Sequence, residues 1–191
     1  MRRGKFDPEW AAIVKGWKET QFALRGKMRI EPLDPLPLFV AGADAAFSVD
    51  KQTVLAAAVV YDRIENRIVE VVHAARPVEF PYIPTFLSFR ERPAVLEAVG
   101  KLKHEWGVIC IDGQGYAHPR RCGLAAHISI LLDRPGVGIA KSRLIGKIRN
   151  RSDGLSGSIS GSGTDPPGGY RAWPTQSPII PGGRRTRAYN S

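Results

Sequence analysis

Three acids stand where an acid is costly. Asp44 lies between Ala43 and Ala45 in "LFVAGADAAF", Asp112 ends the apolar run "VICID", and Glu91 falls within "SFRERPAV". An ionised carboxylate beside small apolar residues loses hydration, so something must compensate it. A divalent cation can do so. Mg²⁺ takes oxygen ligands, often one or two carboxylates completed by waters and phosphate oxygens. Acids from neighbouring strands converge at one end of an α/β sheet, where ligands commonly bind. A metal held there could activate water, orient a phosphate and stabilise a leaving oxygen. Each acid also has a plainer reading. Asp44 could cap a turn, Asp112 could cap the segment that follows it, and Glu91 could be a solvated helix residue.

The residues around these acids suit the same chemistry. Gly113 and Gly115 permit positive φ and close approach of a flat ligand, although a lone Gly-x-Gly is often an ordinary tight turn. Their amides could face a base or a phosphate. His118, Arg120 and Arg121 could hold phosphates, or form a solvated basic loop. Lys141, directly after "GVGIA", could touch a scissile phosphate or be a surface charge. In "PYIP", Pro81 and Pro84 stiffen a tip that carries Tyr82 and Ile83. Such a tip could wedge into a duplex, or serve as a buried connection from strand to helix.

The elements that must position these residues are readable from periodicity. Asp7 and Pro8 open a helix to Leu24, with Trp10, Ile13, Val14 and Trp17 on one face. "PLDPLPL" is an extended connection. Residues 38–47, 53–62 and 67–78 read as strands, the last two joined by the turn-like "DRIENR". Pro84 to Lys103 reads as a helix with Leu87, Val95, Leu96, Val99 and Leu102 on its apolar side. Residues 108–112 form a strand covered on both faces, 126–132 a helix, and 136–140 another buried strand. Three antiparallel strands followed by helix, strand, helix and strand predict an α/β fold: a mixed sheet with helices on its faces.

The bulk properties bound the function. With 191 residues and 43% hydrophobic content, the chain can form one domain with a real core. A net charge of +10 favours an acidic partner, nucleic acid first, over a merely solubilising surface. Cys110 and Cys122 fit neither a disulfide framework nor a zinc site and suit a reducing, cytoplasmic location. The basic N-terminus lacks the apolar stretch of a secretory signal, and no window approaches the roughly 20 apolar residues of a membrane span. Residues 151–191 differ from the rest. Their 41 residues hold 8 Gly, 7 Ser and 5 Pro, a composition expected to stay disordered. Domain organisation is therefore read as a catalytic domain over 1–150 and a tail over 151–191.

Taken together, "GADAAF", "PYIPTFLSFRE", "IDGQGYAHPRRCGLAAH" and "GVGIAKSRLIGK" closely resemble the endonuclease V family, the deoxyinosine 3'-endonucleases of DNA repair. The match runs in family order from about residue 38 to residue 148. It implies a ribonuclease H-like fold. Asp44, Glu91 and Asp112 would be the metal-binding acids and Lys141 a catalytic-site residue near the phosphate. Tyr82, within Pro81–Pro84, would be the strand-separating wedge. Gly113, Gln114 and Gly115 would line the pocket for a flipped hypoxanthine, with His118 nearby. Arg90 would sit beside the catalytic acid. The resemblance also implies Mg²⁺ or Mn²⁺ as cofactor and DNA containing deoxyinosine as substrate, with inosine-containing RNA as the other candidate. The expected cut is at the second phosphodiester bond 3' to inosine. A monomer is expected.

One departure stands out. Family members continue past "GK" with a pattern like "GHRxS" that places a histidine near the metal, whereas this sequence has no histidine after His127. A change of reading frame near residue 150 would explain the loss of pattern. Marginal stability and weak or no cleavage are then expected, and binding without cleavage becomes the competing function. A different ribonuclease H-like nuclease is a third reading, against which the "PYIP" tip argues.

Overall fold

The computed structural model describes residues 8–142, 144–145, 147–150 and 157–160. Helix α1 spans Pro8–Arg25 and is followed by an extended connection to β1, Phe39–Phe47. Strands β2, Thr53–Asp62, and β3, Arg67–Pro77, complete an antiparallel meander. Helix α2, Leu87–Gly100, leads to β4, Val108–Asp112, and helix α3, Leu124–Leu132, leads to β5, Gly136–Ile139. The sheet order is β3-β2-β1-β4-β5, with β4 and β5 parallel to β1. This is the mixed, helix-flanked, ribonuclease H-like sheet that the sequence predicts. Asp7, the expected cap of α1, lies outside the described residues.

Local chemistry explains most boundaries. β2 alternates strictly: Val54, Ala56, Ala58 and Val60 are buried while Leu55 and Ala57 face out. Its last residue, Asp62, turns the chain by accepting the backbone N–H groups of Ile64 (2.8 Å) and Glu65 (3.0 Å) on Oδ1. Helix α2 starts three residues later than Pro84, because Thr85 adopts φ +70° and cannot join a right-handed helix. Helix α3 starts two residues earlier than 126.

The core lies between the sheet and helices α2 and α3. Small residues dominate where α2 meets β1 and β2: Ala41, Ala43, Ala56 and Ala58 from the strands, with Ala94 and Ala98 from the helix. Short side chains let the helix backbone approach the sheet closely. Ile109 and Ile111 of the central β4 are fully covered, together with Ile128 of α3. A second cluster, Ile83, Phe86 and Phe89, is closed by Trp10, Val14, Trp17 and Phe80. Trp17 stacks on Phe89 with centroids 4.9 Å apart. Helix α1 thus serves as the lid of this aromatic cluster.

One expectation needs correction. "GVGIA" is not a buried strand. β5 is exposed along its length, with Val137 at 42% and Ile139 at 57% exposure, because no described strand pairs with its far side. Within the expected tail, only residues 157–160 are described. β7, Gly157–Ser160, pairs antiparallel with β6, Lys147–Asn150, as a separate two-stranded unit with Ile148 opposite Ile159. The rest of the expected tail lies outside the described residues. Among the described residues, no helix is long and apolar enough to cross a membrane.

His127 is fully buried between α2 and α3. Arg92 donates to its Nε2 at 2.9 Å, so the proton sits on Nδ1 and is donated to Ser88 Oγ at 3.3 Å. Burial, reinforced by the Arg92 charge, pushes its pKa down to about 4. The neutral ring is required, so its contribution is complete above the ordinary pKa near 6.5 and is lost as pH falls towards about 4. Urea unfolding should therefore show stability falling by on the order of 2 kcal/mol from pH 7 to pH 4. A His127→Asn variant should show a smaller fall over the same window.

Candidate functional site

Parallel register brings two of the acids together. β1 and β4 pair in parallel through Ala43 opposite Ile111, so Asp44 and Asp112 follow side by side where that pairing ends. β5 pairs Ile139 with Asp112, which carries Lys141 to the same sheet end two residues later. The third acid arrives on α2. Glu91 shares the buried face of that helix with Ala94, Val95 and Ala98. The approach of α2 to the sheet sets its depth. These groups line one open cavity of about 260 Å³, together with Gly113, Gln114 and Leu87.

The electrostatics are those of crowded negative charge. Glu91 is only 7% exposed. Burial, then the carboxylates of Asp44 and Asp112, push its pKa up to about 7. Arg90 and then Lys141 oppose that rise, and Lys141 Nζ lies 2.6 Å from Asp112 Oδ2. That ammonium is 85% exposed, on a side chain that solvent can reclaim. Its contact with Asp112 holds its pKa above the usual lysine value. Asp44 is exposed, and its Oδ1 accepts the backbone N–H of Ala45 at 2.7 Å. Three carboxylates around one cavity are a hard-oxygen donor set of the kind Mg²⁺ or Mn²⁺ uses. As the side chains stand, no three His, Cys, Asp or Glu among the described residues are grouped closely enough to share an ion. The donor chemistry fits a divalent cation, and side-chain rotation would be needed to converge on it.

The turn after Asp112 is built by close backbone contact. Gly113 has φ +156°, and its N–H donates to the Ile139 carbonyl at 2.8 Å. Gln114 points its amide at the Ser142 carbonyl, 2.6 Å away. Of the two glycines that permit positive φ, Gly113 adopts it, and among the described glycines it alone does so. The glycine that matters here instead is Gly138. A Cβ on it would lie 2.6 Å from the Gly113 carbonyl oxygen and 2.7 Å from the Gly115 nitrogen. Only its place in "GVGIA" hinted at this.

The other expected site residues lie apart from this cavity's lining. His118 is buried, its Nε2 donating to the Thr85 carbonyl at 3.1 Å. Arg120 turns inward, bonding Gln21 and Thr85 with its guanidinium 4.3 Å over Phe86. Arg121 lies over the Tyr116 ring at 4.7 Å. Arg90 stacks on Phe47 at 4.3 Å, and its buried Nε has no hydrogen-bond partner among the described residues. At the tip, Pro81, Tyr82 and Pro84 are exposed, Tyr82 at 61%, while Ile83 is buried in the aromatic cluster. Sequence reading missed Gln21 and Thr85, whose partners are distant along the chain.

Residues 22–161 match the family model "Endonuclease V". Among curated relatives, the endonuclease V of Nostoc punctiforme is 42% identical over 142 residues, covering 74% of this chain and 64% of that protein. That of Methanothrix thermoacetophila is 46% identical over 142 residues, covering 74% and 61%. The chain spans less than two thirds of the length of these relatives. Endonuclease V from Streptomyces avermitilis is similar in structure, with TM-score 0.69 and 35% identity over 76% of this chain and 64% of that one. The Ciona intestinalis enzyme, solved with a 24mer DNA containing an inosine followed by a ribo-adenosine, gives TM-score 0.64 and 28% identity over 71% and 60%.

Two substitutions probe this geometry. Glu91→Gln removes a charge that the fold disfavours. The penalty is absent below the ordinary glutamate pKa and grows as pH rises through about 7. In metal-free buffer, Glu91→Gln should raise stability by on the order of 2 kcal/mol at pH 8 and leave it nearly unchanged at pH 4.5. Gly138→Ala should lower stability by about 1–3 kcal/mol, because the added methyl meets backbone rather than a yielding side chain. Thermal melts read both.

Proposed function

The chain belongs to the endonuclease V family, and on that premise we propose that its carboxylate cavity serves hydrolysis of a phosphodiester bond in inosine-containing DNA. The observation that carries this reading is the convergence of Asp44, Glu91, Asp112 and Lys141 on one cavity beside the Gly113–Gln114 turn. Asp44 and Asp112, with Glu91, would hold Mg²⁺, for which Mn²⁺ could substitute. The cation would supply water activation and stabilise the leaving oxygen. Lys141 leaves Asp112 for the scissile phosphate, a move its exposure permits. Gly113, Gln114 and Gly115 accept the flipped hypoxanthine, while Tyr82 at the stiff tip holds the strands apart. His118 and Arg120 support the base pocket from behind. Arg90, whose Nε has no hydrogen-bond partner among the described residues, and Arg121 contribute positive charge near the backbone. The cut falls at the second phosphodiester bond 3' to inosine, leaving 3'-hydroxyl and 5'-phosphate ends. Inosine-containing RNA is the other substrate of this chemistry. The protein acts as a cytoplasmic monomer.

One observation favours a second reading, binding without cleavage. Among the described residues, the acids are not grouped as a ready ligand set. The change in composition near residue 150 supports a shifted reading frame, which the encoding DNA would show as a "GHRxS"-like segment in another frame.

A nicking assay on an inosine-containing duplex decides between the readings. Cleavage is expected with Mg²⁺ and not with EDTA. Asp44→Ala or Asp112→Ala should slow it by about 100-fold or more, as expected when several kcal/mol of charge stabilisation are removed. Inosine-selective binding with no nicking in either metal would establish the second reading.

A further inference from the structure

Resting on the reading that the Pro81–Pro84 tip enters the duplex, we propose that Gln21 is a positioning residue for inosine recognition. Through Arg120 and Thr85 it fixes the tip relative to the loop that carries Gly113 and Gln114.

Gln21 lies on α1 and is fully buried. A buried amide is costly unless its donors and acceptor are satisfied. Here they are satisfied by two separate segments, the residue that follows the tip and the Arg120–Cys122 stretch of the loop after β4. Its Nε2 donates to the Cys122 carbonyl at 3.0 Å and to the Thr85 carbonyl at 3.4 Å, and its Oε1 accepts from Arg120 Nε. Arg120 in turn donates through one terminal nitrogen to Thr85 O at 2.8 Å and Thr85 Oγ1 at 2.7 Å. His118 adds a third donor to the same carbonyl.

Thr85 follows the tip directly and holds φ +70°, a costly conformation for a β-branched residue. The tip is therefore clamped at its base by this network and, one residue before Pro84, by Ile83 in the aromatic cluster. Only Tyr82 and the prolines project. On the other side, the loop is tied at its root, where Gly123 donates to the Gly115 carbonyl (2.9 Å) and Ala125 to the Gln114 carbonyl (3.0 Å). The network therefore joins a rigid tip to a rigid turn. Fully satisfied buried polar networks rigidify their surroundings and specify one geometry. One geometry is what opening a duplex and receiving the extruded base together require.

The test uses the full chain in Ca²⁺, which offers the carboxylates a hard cation while binding is read. The probes are a duplex and a single strand, each with one inosine beside 2-aminopurine. Gln21→Leu should weaken duplex binding by about tenfold, a loss consistent with misplacement of a positioned group. It should suppress the rise in 2-aminopurine fluorescence and leave single-strand affinity within about twofold, since no stack has to open there. Should Gln21→Leu lower the melting midpoint, Thr85→Gly, which removes Oγ1 and frees the backbone, must give the same split between duplex and single strand. Equal loss on both substrates, or loss on neither, overturns the proposal. If the unmodified chain does not prefer inosine over an undamaged duplex, the function proposed above fails too, a result read from that arm alone.

Discussion

The carbonyl oxygen of Thr85 is the point on which the described site depends. It receives Gln21 from α1, His118 and Arg120 from the loop after β4, and it sits between the projecting tip and α2. A carbonyl has two lone pairs, so three donors, one of them a guanidinium, place it in a strongly positive environment. Two consequences follow. The chain is held in a left-handed turn that stops α2 from starting earlier, so Glu91 falls in the second turn of the helix. The loop from Tyr116 to Gly123 is also drawn towards α1, which leaves Gly113 and Gln114 at the cavity.

At the cavity, stability and function pull in opposite directions. Parallel strand ends put Asp44 beside Asp112, and burial sets Glu91 against both. The fold answers with Arg90, whose charge opposes the rise at Glu91, and with the exposed ammonium of Lys141 on Asp112. A fixed buried ion pair would neutralise the acids more firmly, but it would also compete with an incoming cation. Proteins break local rules of this kind where a site must do chemistry.

Asp44 and Asp112 stood out because they interrupt or end apolar runs, which Glu91 between Arg90 and Arg92 does not, and the strands were legible because β2 and β4 carry plain patterns. What remained hidden depended on tertiary neighbours. "GVGIA" and "VICID" look alike as apolar stretches, yet β4 is central and β5 lies at an edge, a difference set only by what pairs beside each. Gln21, between Thr20 and Phe22, resembles any solvated helix residue, since periodicity counts apolar positions and ignores a buried amide. Arg120 and His118 sit beside glycines in a basic loop, a context that suggests phosphate. Their inward turn reflects Thr85 and Gln21, which lie far away in sequence. The late start of α2 likewise follows from a φ angle that those distant donors stabilise.

The alanines between α2 and the first two strands carry a consequence for how this protein can change. Ala94 and Ala98 share the helix face of Glu91, and they lie against Ala41, Ala43, Ala56 and Ala58. Any enlargement there lifts the helix from the sheet and carries Glu91 away from Asp44 and Asp112. On the proposed function, cation affinity would therefore be tunable from inside the apolar core, by methyl groups remote from the carboxylates. Sequence drift at these positions would be filtered by chemistry as strictly as drift at the acids themselves.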